Sequence, residues 1–124
     1  APLLDDGGWR ISAAPGKHSV PVVGLRIEDR SGGGAVAYSC DTEPCDAIRD
    51  LARGADIVVH EATGEYAGHS SAAQAAQVAA DAGARRLLLV HVPPASQLSE
   101  EKLREARGMF AALEVCEEGG RYDF

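Results

Sequence analysis

The sequence predicts an α/β fold, and three observations support this prediction. Short apolar segments recur at 35–40, 57–60 and 86–90, and each has a length typical of a β-strand. Stretches with helix start and stop signals separate these segments. Hydrophobic residues make up 45% of the chain and aromatic residues only 5%, which favours helices packed closely on a sheet over a bulky aromatic core.

The first part of the chain is predicted to form three strands, at 9–13, 20–28 and 35–40. The Pro15-Gly16 pair is predicted to form the turn between the first two strands, because proline and glycine favour tight reversals. A run of Ser31 and three glycines forms the connection to the third strand.

Two helices are predicted after these strands. The first covers 44–54, where Pro44 suits the first helical turn and Gly54 suits the position after the last turn. The second covers 72–82 and is rich in alanine. Ser71 and Gln74 stand three residues apart at its start, which is the spacing of a capping box.

The second part of the chain alternates strands with these helices. The segments 57–60 and 86–90 are almost continuously apolar, which is typical of strands buried on both faces. Ser99 can cap a third helix, and Leu98 and Leu103 are spaced as a hydrophobic staple. Further strands are predicted at 113–116 and 121–124. The predicted order is β-β-β-α-β-α-β-α-β, which indicates a layered α/β arrangement.

Size and charge limit the classes of function. A chain of 124 residues is enough for one domain with a modest core. A net charge of −7 argues against a basic-patch nucleic-acid binder, so we do not expect strong nucleic-acid binding. No leader peptide or membrane span is visible in the sequence, and no membrane partner is expected. The three cysteines (Cys40, Cys45 and Cys116) do not form a disulfide pattern, so a cytoplasmic location with reduced thiols is expected.

Polar side chains follow three of the apolar segments at the point where each strand ends. Asp41 follows 35–40, the pair His60-Glu61 ends the next strand, and His91 follows 86–90. Strand ends at one edge of a sheet are where α/β proteins build their sites. Imidazole and carboxylate ligands gathered at such an edge suit a divalent cation that activates water for hydrolysis.

Each of these residues also has an ordinary structural explanation. Asp41 can be a turn or capping residue, and His91 can be a partly buried imidazole with satisfied hydrogen bonds. We favour a structural role for His60, while Glu61 can orient a neighbouring imidazole. His69, in a Gly-His-Ser-Ser loop before a helix, can be a flanking residue or a proton-transfer group. Cys40 is either a thiolate ligand or a small buried residue at a strand end.

Five segments in this order resemble the C-terminal half of the metallo-β-lactamase superfamily, and most closely the branch that contains RNase Z and related phosphodiesterases. The segments are 18–27 (His-Ser-Val-Pro-Val-Val-Gly-Leu-Arg-Ile), 39–42 (Ser-Cys-Asp-Thr), 56–63 (Asp-Ile-Val-Val-His-Glu-Ala-Thr), 68–71 (Gly-His-Ser-Ser) and 87–92 (Leu-Leu-Leu-Val-His-Val). The resemblance covers most of the chain. It implies that residues 1–124 form half of an αββα sandwich.

The resemblance also implies a role for each site residue. His18 would bind one metal ion, Asp41 would bridge two, and His91 would bind the second. His69 would donate a proton to the leaving group, with Glu61 supporting it. The implied cofactors are two divalent metal ions, zinc or alternatively manganese, and the implied substrate is a phosphodiester. A homodimer is implied as well.

Three departures from the family pattern qualify this expectation. The His-x-His-x-Asp-His signature of the N-terminal half is absent, so we expect the missing half to be present as another segment or chain. Cys40 stands where the family has glycine, which is expected to displace the Asp41 loop slightly. The link at 29–34 is too short to hold the tRNA-gripping arm of RNase Z.

Three functional hypotheses remain open from the sequence. The first is a dinuclear metal hydrolase that acts on a small or generic phosphodiester. The second is a tRNA 3′-processing endoribonuclease that binds its substrate without the arm. The third is a non-catalytic, degenerate half-domain used for association or regulation.

Overall fold

The computed structural model describes residues 2–124 and contains one mixed sheet of seven strands with three helices. The strands are β1 (Leu4–Asp5), β2 (Trp9–Pro15), β3 (Val23–Asp29), β4 (Ala35–Tyr38), β5 (Ile57–Glu61), β6 (Arg86–Val90) and β7 (Leu113–Val115). The helices are α1 (Asp46–Ala52), α2 (Ala72–Ala82) and α3 (Glu100–Met109). The α/β class predicted from the sequence is confirmed.

The order of strands in the sheet is the order in the chain, from β1 to β7. Strands β1 to β4 pair antiparallel, and β4 to β7 pair parallel. Each parallel connection contains one helix. Because such crossovers are right-handed and the strands advance in one direction, the helices all lie on the same face of the sheet. One face is therefore covered by helices, and the other is left open.

Alanine dominates the contact between the helices and the sheet. Ala75, Ala76 and Ala79 of α2 are fully buried and share one cluster with Val58 and Leu87 of the central strands. A methyl side chain lets helix and sheet backbones approach closely, and packed interiors favour such contacts. The close packing expected from the low aromatic content is therefore present.

Most of the predicted helix ends agree with the structure, but α1 begins at Asp46 with Cys45 as its N-cap, so the predicted place of Pro44 in the first helical turn is wrong. Ser71 and Gln74 form the complete capping box at the start of α2. Gly54 adopts a positive φ of 65° just after α1. The Ser99 hydroxyl accepts a hydrogen bond from the Lys102 amide at the start of α3.

Four strand predictions differ from the structure. The short strand β1 was not expected, and β3 begins at Val23 because Pro21 cannot donate to the ladder. Strand β4 ends at Tyr38, since Cys40 has a φ of +60° that leaves the extended region. The strand predicted at 121–124 is wrong, because this segment follows a turn at Gly119 and pairs with no strand of residues 2–124.

The open face of the sheet carries a stripe of apolar side chains that pair across strands β3 to β6. Ile27 is opposite Val36, and Leu25 is opposite Tyr38, which itself is opposite Val59. These side chains are partly or largely exposed. Ile57 and Leu88, on the same face, are buried. Within residues 2–124, the helices are too short and too polar for any of them to cross a bilayer.

Candidate metal centre

The carboxyl ends of three parallel strands deliver polar residues to one edge of the sheet. Asp41 follows β4, Glu61 is the last residue of β5, and His91 comes directly after β6. Two loops add His69, just before α2, and His18, between β2 and β3. The five residues singled out in the sequence therefore meet at this edge.

Asp41, His69 and His91 form a group whose ligand atoms all lie within 4.8 Å of one another. The Asp41 Oδ1 atom lies 2.9 Å from Nδ1 of His91, and the His69 and His91 rings are 6.0 Å apart. Asp41 and His69 are partly buried and His91 is exposed. This group is open to solvent and can be reached by a substrate.

Two residues at this edge of the sheet have a backbone conformation that L-amino acids rarely adopt. Among residues 2–124, the non-glycine residues with positive φ are Cys40, at +60°, and His91, at +49°. Such residues cost about 1–3 kcal/mol each and cluster at functional sites. One of them precedes Asp41 and the other is His91 itself, so the strain lies where the group is built.

Glu61 is a buried carboxylate that organises the loops around it. It is 1% exposed, and its two oxygens accept hydrogen bonds from the amides of Thr42 and Thr63, at 3.0 and 2.9 Å. Its Oε1 atom also lies 2.9 Å from Nδ1 of His69. A buried carboxylate needs such donors to offset the loss of hydration. Glu61 therefore holds the ring of His69 with Nε2 directed away from it.

His18 is held by the loop that carries His69. Its Nδ1 atom donates to the carbonyl of Gly68 at 2.7 Å, since a carbonyl oxygen can only accept. Nε2 is then the free, lone-pair nitrogen, which is the tautomer seen when a metal-binding imidazole is oriented through its other nitrogen. The His18 ring lies 4.9 Å from that of His69, but His18 is not a member of the three-residue group.

Both backbone polar groups of Gly68 are hydrogen-bonded to side chains, and one of these side chains, that of Glu43, was not identified from the sequence. The Glu43 carboxylate accepts from the Gly68 amide at 3.1 Å, while His18 donates to the Gly68 carbonyl. Lys17 lies 3.6 Å from the same Glu43 carboxylate. Gly68 has a φ of +83°, and a Cβ there would lie 2.6 Å from His18 Nδ1. Glu43 follows the Ser-Cys-Asp-Thr segment directly, and that adjacency is the signal that could have identified it.

His60 and Cys40 lie near the group without joining it. Alternation along β5 sends His60 to the helix side, where it is buried, its Nδ1 atom donates to the Glu61 carbonyl, and Nε2 has no partner among residues 2–124. Burial lowers the pKa of His60, so the ring is neutral. Burial and the neighbouring Asp41 raise the pKa of Cys40 to about 11, so its thiol stays protonated and is a poor metal ligand at neutral pH.

The donor atoms of the group fit a divalent transition-metal ion. Two imidazoles and one carboxylate are ligands that zinc and manganese accept. Asp41 and His91 can bind such an ion at this edge of the sheet, and His69 beside them can either bind it or transfer a proton. The hydroxyl of Thr63 lies 3.1 Å from His91 Nδ1 and helps to orient that ring.

Comparison with known proteins gives one family and several relatives. The model of the beta-lactamase superfamily domain matches residues 3–92. Ribonuclease Z of Salinibacter ruber is 44% identical over 99 residues, which is 73% of this chain and 31% of that protein. Ribonuclease BN of Escherichia coli O1:K1 is 41% identical over 127 residues, which is 92% of this chain and 37% of that protein.

A solved structure gives the same picture of the fold. The metallo-beta-lactamase fold protein YhfI from Bacillus subtilis matches 94% of this chain and 50% of its own chain, with a TM-score of 0.80 and 26% identity. The chain spans about a third of the length of the curated relatives it matches. The α/β architecture described above therefore corresponds to part of a metallo-β-lactamase-type domain.

Proposed function

This chain belongs to the metallo-β-lactamase superfamily, in the branch related to ribonuclease Z, and from that premise we propose that it is part of a metal-dependent phosphodiesterase. The substrate is a small or generic phosphodiester. The observation that carries the proposal is the convergence of Asp41, His69 and His91 within 4.8 Å at one sheet edge.

We assign metal binding to His18, Asp41 and His91. Asp41 has two carboxylate oxygens and can serve two ions, while His18 and His91 can each offer Nε2, because their Nδ1 atoms are hydrogen-bonded to Gly68 and to Asp41. Bound divalent ions, zinc or manganese, lower the pKa of water and neutralise charge on phosphoryl oxygens. Asp41 and His91 are both partly exposed, so a phosphate group can approach them from the solvent side.

We assign proton donation to His69, with Glu61 as the residue that positions it. The Glu61 carboxylate fixes Nδ1 of His69, so Nε2 is the atom that can give a proton to the leaving oxygen.

The remaining ligands are proposed to come from a segment outside this chain. Among the described residues, the assigned ligands are one carboxylate and two imidazoles, which cannot fill the coordination shells of two metal ions. The greater length of the relatives supports a further segment of the same domain. A homodimer and a cytoplasmic location are further parts of this proposal.

Replacing Asp41 tests the proposal in the complete protein that contains this chain. Asp41→Asn keeps the size of the side chain and removes its charge, so metal binding and turnover should both fall. We expect metal content per protein, measured by elemental analysis, to drop from about two ions. Hydrolysis of bis(p-nitrophenyl) phosphate should fall by at least about 10²-fold.

Asp46→Asn is the matched control, because Asp46 is an exposed residue at the start of α1. It should leave both metal content and hydrolysis unchanged. Full hydrolysis by the Asp41→Asn protein would rule out the proposed centre. Turnover by neither variant nor the parent protein, with metal present, would favour a non-catalytic half-domain.

A tRNA 3′-processing endoribonuclease is the second candidate, and the similarity to ribonuclease Z and ribonuclease BN favours it. Two features argue against tRNA as the substrate. The net charge is −7, and β3 and β4 are joined by residues 30–34 alone, which leaves no arm there. Cleavage of a precursor tRNA at low salt would support this candidate, and absence of tRNA binding under those conditions would exclude it.

A further inference from the structure

A recess beside the candidate metal centre is not used by the proposed chemistry. It lies between the loop after β5, the first turn of α2 and helix α3, and its volume is about 660 Å³. Sites for small organic molecules commonly have volumes of about 300–1,000 Å³. The recess is therefore large enough for an aromatic ring or a nucleoside.

The recess borders the centre at Thr63, and two more of its lining residues follow site residues closely in the chain. Thr63 lines it, and its hydroxyl lies 3.1 Å from Nδ1 of His91. Pro93 lines it two residues after His91, and Ser71 lines it two residues after His69. A group attached to a phosphorus atom at the centre can therefore extend into the recess.

The chemistry of the recess excludes a second phosphate. Within residues 2–124, Lys102 is the one basic residue of its lining, and its ammonium donates to the Gln97 carbonyl at 2.9 Å. Glu65 and Glu105 add two negative charges. A further phosphate would meet net negative charge from these lining residues, which is unfavourable.

The remaining walls suit an uncharged, flat group. Ala72, Ala73 and Leu98 supply apolar surface, and Tyr66 supplies an exposed aromatic ring. The Tyr66 ring lies against Gly64, where a Cβ would clash with it. Aromatic rings stack on such a surface, while the hydroxyl of Ser71 and other polar groups give orientation.

We propose that this recess binds the uncharged leaving alcohol of the phosphodiester, so that the substrate is a small diester and not a continuing polynucleotide chain. The inference rests on the proposed function. Water adds to phosphorus, the bond to the alcohol oxygen breaks with its electron pair on that oxygen, and His69 supplies the proton to that oxygen. The proton that the attacking water loses passes to solvent, from which His69 is protonated again. The products are a monoester and a neutral alcohol, and the alcohol is on the His69 side because the recess begins at the adjoining turn of α2.

Two substrates separate the effect of the size of the leaving alcohol from the effect of its acidity. The methyl and benzyl esters of thymidine 5′-phosphate have leaving alcohols of similar acidity, and only the benzyl group can fill the recess. In the complete protein we expect kcat/KM for the benzyl ester to exceed that for the methyl ester by about tenfold or more, mainly through KM. Thymidine 5′-phosphate, measured by chromatography, is the product in both reactions.

A variant that fills the recess tests the site directly. Ala73→Phe should lower kcat/KM for the benzyl ester by about tenfold and leave the methyl ester unchanged. Ala80→Phe is the matched control, because Ala80 is exposed on the same helix and does not line the recess. It should change neither reaction.

The outcomes distinguish the inference from the function on which it rests. Equal kcat/KM for the two esters, or an equal effect of Ala73→Phe on both, would overturn the recess as the alcohol site. Release of benzyl phosphate and thymidine would instead support the recess as the alcohol site, with the nucleoside, itself a neutral alcohol, as the group that occupies it. Failure to hydrolyse either ester would overturn the proposed phosphodiesterase function itself.

Discussion

Glu61 is the residue on which the geometry of the candidate site depends most. It accepts from two backbone amides and from His69, so three loops share one buried carboxylate. An amide side chain cannot replace it, because one of its two ends is a donor and would face another donor. Its role therefore combines structural support with control of the His69 ring.

Glu61→Gln tests this dual role. We expect unfolding to become easier by about 1–3 kcal/mol, because a buried donor loses its partner. We also expect kcat to fall by about 10²-fold with little change in KM, because His69 loses the carboxylate that orients its ring for proton transfer. Chemical denaturation and steady-state kinetics on the complete protein measure the two effects.

Glu114→Gln is the matched control, since Glu114 is an exposed residue of β7 whose partner is Arg86. It should change neither kcat nor stability measurably, because exposed ion pairs contribute little. A Glu61→Gln protein with normal kcat would contradict the positioning role.

Helix α2 connects the site with the core. Its buried alanines pack on the sheet, and its first turn follows His69 directly. The capping box fixes the residue where the helix starts, which sets how the loop before it approaches Glu61. The packing of α2 on the sheet and the position of His69 therefore both depend on the short segment at the start of α2.

Ser71→Ala should remove the N-cap hydrogen bond that fixes the start of α2 relative to the loop before it. Loss of the N-cap costs about 1 kcal/mol of stability. We expect activity to fall as well, because His69 lies two residues away and Ser71 lines the recess. Thermal unfolding and phosphodiester hydrolysis, measured together, would show both losses.

Ser99→Ala provides the comparison at the element scale. Ser99 caps α3 in the same way, with its hydroxyl accepting from Lys102, but it lies away from His69. It should cost similar stability and leave kcat unchanged. Equal activity in the two variants would mean that the α2 cap does not position His69.

The whole molecule is a sheet with one covered face. Right-handed crossovers place the three helices on one side, so the apolar stripe of Leu25, Ile27, Val36, Tyr38 and Val59 lacks a packing layer within residues 2–124. Large exposed apolar patches mark surfaces that pack against something else. The relatives, of which this chain matches about a third, contain additional chain that can supply such a layer.

Binding of a hydrophobic dye tests whether this stripe is accessible. We expect the isolated 124-residue chain to bind 8-anilinonaphthalene-1-sulfonate and to associate with itself, and we expect the complete protein to bind much less. Val59→Lys, in the middle of the stripe, should reduce dye binding by the isolated chain. Equal dye binding by the isolated chain and the complete protein would show that the face is not covered by another segment.

The residues themselves were sufficient to predict most of the architecture. The capping box of Ser71 and Gln74, the glycine after α1 and the continuous apolar strands are local signals, and each acts over a few residues. Local signals failed where tertiary pairing decides, as in 121–124, which has strand-like residues but no strand within residues 2–124 to pair with.

The candidate site was also predictable in part from the sequence and in part only from the tertiary structure. The sequence by itself determined which side chains stand at the strand ends, namely Asp41, Glu61 and His91, because chain order fixes which residue comes after each strand. Only the tertiary structure decided which of them meet: that His69 joins Asp41 and His91, and that Glu43 holds Gly68 across the gap between two loops. These contacts join residues 22 to 50 positions apart, and their distances depend on strand register and loop conformation, which no local pattern of residues specifies.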